Sequence, residues 1–296
     1  MELFGGQGLK AFLYELYDKI FDTDVMSSAA QIAFYFSFAF FPLLFFLVTL
    51  FGIVLGAQQN LQAELYIYLA QILPNSAFDL VQKTLEEIVE ASSGGKLTLG
   101  LFVTLWSASA GVDSIRIALN AVYELRETRS WWYTKLQSLI LTLGFILLIS
   151  IVLGGVTAGW QLVKLGFTSA GIEGTAPWVL VAVQWIALVA VMLLATSIIY
   201  SWLPCFKKFH WVWISPGAVV AILLWVLLSS GFRLYLQYFN TYNKAYGSLG
   251  AVIILMLWMY LTGLVILIGG AINSVLSEMT EASEKTKLSE ERKNVG

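Results

Sequence analysis

Asp113, Arg116 and Asn120 have the most chemical reach in this chain, because they interrupt an otherwise apolar stretch and recur at i, i+3 and i+7. That spacing sets all three on one face of a helix. A charged side chain at the centre of a membrane helix costs about 2.5 to 3.5 kcal/mol, so the face must turn toward protein or water. Two readings follow: a polar site inside a helix bundle that contacts a solute, a lipid headgroup or a proton, or an ion pair that satisfies itself near the end of a span. Gln31, Tyr35, Ser37, Gln184 and Asn273 are further polar residues in apolar surroundings, expected to face the interior and hydrogen-bond between helices. Together with the ion pair they permit a hydrated cavity. Asn243 and Tyr246, with Gln237, Asn240, Tyr242 and Lys244, crowd a boundary between two apolar runs. Aromatics and amides there suit sugar or headgroup binding, or an ordinary interfacial turn.

The catalytic templates fail. His210 is the only histidine and Cys205 the only cysteine, which leaves no Ser–His–Asp set, no His cluster for a metal and no disulfide within the chain. Neither GxxxxGK[ST] nor GxGxxG occurs in a strand-turn-helix setting. No catalytic residue, metal or cofactor is expected, and the reading is of a protein that is not an enzyme. A net charge of −2 argues against nucleic acid as a partner, since phosphate binding wants a dense basic face.

The elements that must position these residues are membrane spans. Uncharged runs at 25–63, 136–163, 174–206, 209–232 and 245–277 each exceed the roughly 20 residues a helix needs to cross a bilayer. A sixth, Leu97 to Val112, is extended by the helical apolar rhythm of SIRIALNAVYEL. The fold class is therefore an all-α integral membrane bundle, with spans near 29–56, 97–122, 136–160, 176–202, 212–232 and 248–275. Residues 1–28 read as a cytoplasmic interfacial helix with Leu9, Phe12, Leu13, Leu16 and Ile20 on one side, and its Ser28 and Gln31 as a capping box opening the first span. Residues 74–95 read as a second amphipathic helix, and 278–296 as a charged tail without fixed structure. The first apolar run is too long for a signal peptide and is expected to stay in the mature protein.

Pro42 is expected to kink the first span. The pairs Ser107/Gly111 and Gly155/Gly159 are read as packing devices. Trp131, Trp132, Trp202, Trp211 and Trp213 read as an aromatic belt. Lys and Arg in short loops favour the cytoplasm. Twelve of the 17 fall on the side of both termini, leaving five opposite, so both ends are expected to be cytoplasmic.

Four blocks, AAQIAFYFSFAFFPLL, WSASAGVDSIRIALNAVYELRETRSWW, LPCFKKFHWVWISPGAVVAILLWVLLSSGFRLYLQYF and YGSLGAVIILMLWMYLTGLVILIGGAINS, in this order and spacing resemble the YihY/BrkB family of bacterial inner-membrane proteins, once named ribonuclease BN. The resemblance implies six transmembrane helices, cytoplasmic termini and a transport or envelope-lipid role. No basic groove or metal-ligand set supports RNA cleavage. The function expected is transporter-like, moving or binding a small solute or lipid through a polar cavity lined by Asp113, Arg116 and Asn120, with Gln31, Tyr35, Asn243, Tyr246 and Asn273 as further candidates. A membrane scaffold for envelope machinery is the alternative, and a membrane-bound ribonuclease a distant one. Membrane lipids are the expected partners, along with a homo-oligomeric assembly.

Overall fold

A computed structural model describes residues 8–54, 67, 95–169, 177–207, 211–238 and 248–294. Among these, every regular element is a helix: α1 Leu9–Asp22, α2 Val25–Val54, α3 Gly95–Val122, α4 Trp131–Ser169, α5 Pro177–Trp202, α6 Pro216–Tyr238 and α7 Ser248–Asn294. Within the described residues, Trp131–Val152, Trp185–Trp202, Pro216–Leu236 and Val252–Thr286 are long and apolar enough to cross a membrane. Helix α2, at 30 residues, is about 45 Å long and runs through Pro42 without a break in its assignment. The amphipathic segment expected at 74–95 lies almost wholly outside the described residues, as do Asn243 and Tyr246.

Several boundaries differ from the sequence expectation. Helix α2 begins at Val25, so Ser28 sits in its first turn and its N–H donates to Asp24 O at 2.9 Å; the expected capping box is not the start. A two-residue turn precedes it, with Asp24 at φ 50°, a left-handed conformation that Asp tolerates better than most side chains. Helix α4 starts at Trp131 rather than near 136, because Ser130 caps it, its Oγ accepting the Tyr133 N–H at 3.4 Å and its carbonyl the Thr134 N–H at 3.1 Å. The charged tail is helical through Asn294. Its Ala, Glu and Lys are strong helix formers and Glu281 and Lys285 are four apart, while Met279, buried against Phe12, Ile272 and Val275, fastens its root.

Burial is concentrated at one end of the bundle. Val25, Ala29 and Ile32 of α2, Val112, Ile115, Leu119 and Val122 of α3, Leu141 of α4, Ile199, Tyr200 and Leu203 of α5 and its exit, Ala218 of α6, and Leu267 and Ala271 of α7 form the core. These are alternately the starts and finishes of successive helices. Away from this core, several described positions are uncovered. On α5, all six residues from Trp185 to Ala190 are exposed, and six consecutive residues sample the whole helix circumference. Leu223 and Leu227 of α6 and Ile151 of α4 are exposed as well.

Backbones touch where α6 meets α7. A Cβ on Gly217 would collide with Gly269 O, and on the neighbouring face of α7 one on Gly270 would lie 2.7 Å from Leu119 Cδ2 of α3. The small residues allow an approach that side chains would forbid.

Candidate functional site

Asp113 sits where α4 passes over α3. The pairings Trp106–Trp131, Ser109–Lys135 and Asp113–Ser138 advance in the same sense along both helices, so α4 crosses α3 at an angle there. Ser138 Oγ donates to Asp113 Oδ1 at 2.6 Å, Lys135 Nζ to Oδ2 at 3.2 Å and Arg116 Nη2 to Oδ1 at 3.3 Å. Lys135 Nζ also donates to Ser109 Oγ at 2.6 Å and lies 4.5 Å from the centroid of the Trp106 ring, a cation–π contact.

One turn further, Arg116 Nη1 and Asn120 Nδ2 both donate to Glu127 Oε2, at 2.7 and 3.0 Å. Arg129 holds the same carboxylate from its other side, with Nε on Oε1 at 2.7 Å, Nη2 on Oε2 at 2.8 Å and its backbone N–H on Oε1 at 3.1 Å. Arg129 Nη2 reaches Leu203 O at 3.0 Å, Gln137 Nε2 donates to Trp202 O, and Cys205 N–H donates to Asn120 Oδ1 at 2.8 Å. Two helices, the 123–130 loop and the exit of α5 are thereby interlocked. The side-chain bonds of Arg129 hold the Glu127 carboxyl far below the usual glutamate range, against the opposing effect of burial. The same pairing raises Arg129.

The cluster contains three cations, Arg116, Arg129 and Lys135, and two carboxylates, Asp113 and Glu127. Arg116 is buried, and its Nε has no hydrogen-bond partner among the described residues. A buried donor of this kind is costly unless something else satisfies it.

Lys19 forms a second buried ionic contact. Only 7% exposed, its Nζ donates to Glu124 Oε1 at 2.6 Å and to Glu278 Oε1 at 2.7 Å. Burial acts to lower its pKa, but the two carboxylates outweigh it and hold the ammonium above its ordinary value. Asn273 belongs to a third contact: its Oδ1 accepts the Gly217 N–H at 2.8 Å and its Nδ2 donates to Ser215 Oγ at 2.9 Å. It satisfies the start of α6 from α7, as a capping side chain does. Tyr123 bonds to Asn273, and burial pushes the phenol well above its usual value.

Asp113, Arg116 and Asn120 thus share one face and one network, and Asn273 lies in a neighbouring one. Gln31 and Tyr35 turn outward, Tyr35 being 43% exposed, rather than into the interior as expected. Near the start of α2 a glutamine or an amphipathic tyrosine can reach the polar interface and need not be buried. Ser37 bonds to its own helix, at Ala33 O. Trp225, Leu228, Ser229, Trp258, Leu261 and Thr262 meet in a shallow dent on α6 and α7, and none of the cluster's residues is among them. Sequence reasoning missed Glu127, Arg129, Lys135, Ser138, Lys19 and Glu278. The run RETRSWW carried a signal, since dense charge beside a tryptophan pair is placed to fold back on a span.

Several apolar helices locked at one end by buried ions define a multi-pass helical membrane protein. The family model described as virulence factor BrkB matches residues 16–294, and the chain belongs to that family. It is 32% identical over 266 residues to YfkH of Bacillus subtilis (strain 168), a relative whose name carries the label ribonuclease-like, with 90% of this chain and 95% of the relative covered. No solved structure matches.

Proposed function

We propose that this BrkB-family protein is a six-span protein of the bacterial inner membrane, with both termini cytoplasmic, that moves or binds a small solute or lipid without nucleotide hydrolysis or catalysis of its own. The observation that carries the reading is the contrast within the described bundle: interlocked charges at one end, and away from them the exposed apolar stretch Trp185–Ala190 of α5 with Ile151 of α4 and Leu223 and Leu227 of α6. A carrier at rest needs such an asymmetry. The alternation of buried helix starts and finishes supports six crossings, and the cations near the closed end support its cytoplasmic placement. The surplus cation and the unpartnered Arg116 Nε favour a substrate with an anionic group. For the relative's ribonuclease label, the residues offer little: Asp113 and Glu127 are both held by cations.

The test is flux through vesicles containing the purified protein, using anionic fluorescent lipids and small organic anions as probes. Asp113→Asn loosens the closed end and is expected to raise downhill flux about tenfold, whereas Arg116→Ala removes the cation that favours an anionic group and is expected to lower it; flux of every probe unchanged in both variants would sink the transporter reading. A scaffold is favoured by one feature, the exposed helical extension of α7 to Asn294, with Leu288 57% exposed. Deleting residues 281–296 leaves flux intact in a transporter, whereas a scaffold shows no protein-dependent flux before or after the deletion.

A further inference from the structure

We infer that α1 is a lipid-held lever and that Lys19 connects it to the closed end of the bundle. Helix α1 has two apolar faces with different surroundings. Phe12 packs on Ile272, Val275 and Met279 of α7, with Leu16 beside it. The other face is uncovered: Leu13 is 53%, Tyr14 70%, Tyr17 60% and Phe21 50% exposed. Large apolar and aromatic side chains at this density suit the boundary between headgroups and acyl chains. The exposed Trp131, Trp132 and Trp213 at other helix ends have the same character. The occupant of this face is the bilayer interface.

On the packed face, in line with Phe12 and Leu16, stands buried Lys19, whose ammonium joins three elements: its own α1, α7 through Glu278, and the 123–130 loop through Glu124. Ser274 Oγ donates to the same Glu278 oxygen at 3.0 Å. Glu124 is held at φ 53°, a left-handed conformation that non-glycine residues rarely adopt, and Leu125 N–H is tied to Asn120 O at 2.7 Å. Three residues beyond Glu124 stands Glu127, the carboxylate that gathers Arg116, Asn120 and Arg129. Lifting α1 from the membrane surface withdraws Lys19, releases Glu124 from its cation and slackens the loop that closes the ionic cluster. The lever reads the membrane surface and the cluster responds.

The idea rests on the transporter reading only for what the closed end controls, and its test does not use flux. Cys205 is the only cysteine, and its backbone is bound to Asn120 inside the cluster, so its rate of modification by a maleimide reports how tightly that end is shut. In phosphatidylethanolamine and phosphatidylglycerol vesicles, Lys19→Gln is expected to accelerate modification about tenfold, with Lys19→Arg close to wild type. Tyr14→Glu combined with Tyr17→Glu, on the outward face alone, is expected to do the same as Lys19→Gln. Wild-type rates in Lys19→Gln overturn the connection. Acceleration in Lys19→Gln but not in the tyrosine variant overturns the lipid-held lever. Should Lys19→Gln fail to elute as a single species, Glu124→Gln decides the connection by the same measurement, with a smaller acceleration expected.

Discussion

Glu127 accepts from four donor groups, the Arg116 and Arg129 guanidiniums, the Asn120 amide and a backbone N–H, and its titration should be visible in stability. Its folded pKa lies below the ordinary value of 4.5, so the unfolded chain takes up the proton first. The contribution is complete above the ordinary glutamate range and is lost as pH falls from 4.5 toward the folded value. Thermal unfolding followed by Cys205 exposure should therefore weaken progressively below that pH in the wild type. Glu127→Gln should be less stable at neutral pH by roughly 2 kcal/mol and flatter in acid; an unchanged acid slope would contradict the assignment. The sequence disclosed Asp113, Arg116 and Asn120 because their relationship is internal to one helix and follows from its period. It did not disclose the partners of Glu127, Lys135 or Lys19, which are 11, 22 and 105 residues away and are set by how helices cross and loops fold back. Gln31 and Tyr35 misled for the opposite reason: polarity inside an apolar run says that a partner is needed, and water or headgroups at the interface can supply it.

Among the elements, α6 and α7 are joined backbone to backbone, because Gly217 meets the backbone of Gly269 and Asn273 binds the first turn of α6. Gly217→Ala places a methyl where Gly269 O already is, and should cost about 3 kcal/mol or prevent assembly. Gly231→Ala, on the same helix with nothing within 4 Å, should be neutral or slightly stabilising. Melting both in one detergent checks the contrast, and equal melting temperatures would refute the close approach. The starts of α5 and α7, at Pro177 and Ser248, are close to where the apolar runs and helix-start residues placed them, since apolar length and a proline or serine are local signals. The start of α2 and the end of α7 were not legible. The first depends on a left-handed Asp24, and the second on Met279 being pinned by α1, which no window of sequence contains.

For the molecule as a whole, the reading of six crossings with cytoplasmic termini makes a sidedness prediction. Cys205 follows α5 and lies at the closed end, so a membrane-impermeant maleimide should modify it in inverted vesicles and not in right-side-out ones. Modification from the outer face alone would invert the topology. The fastening of the helices at one end also has a mechanical consequence. Where α5 stands bare, from Trp185 to Ala190, it behaves as a tine: its position there is fixed less by protein contacts than by the lateral pressure and thickness of the lipid around it. The stance of that stretch is then a property of the membrane, and the same helix leans differently in a thin bilayer than in a thick one.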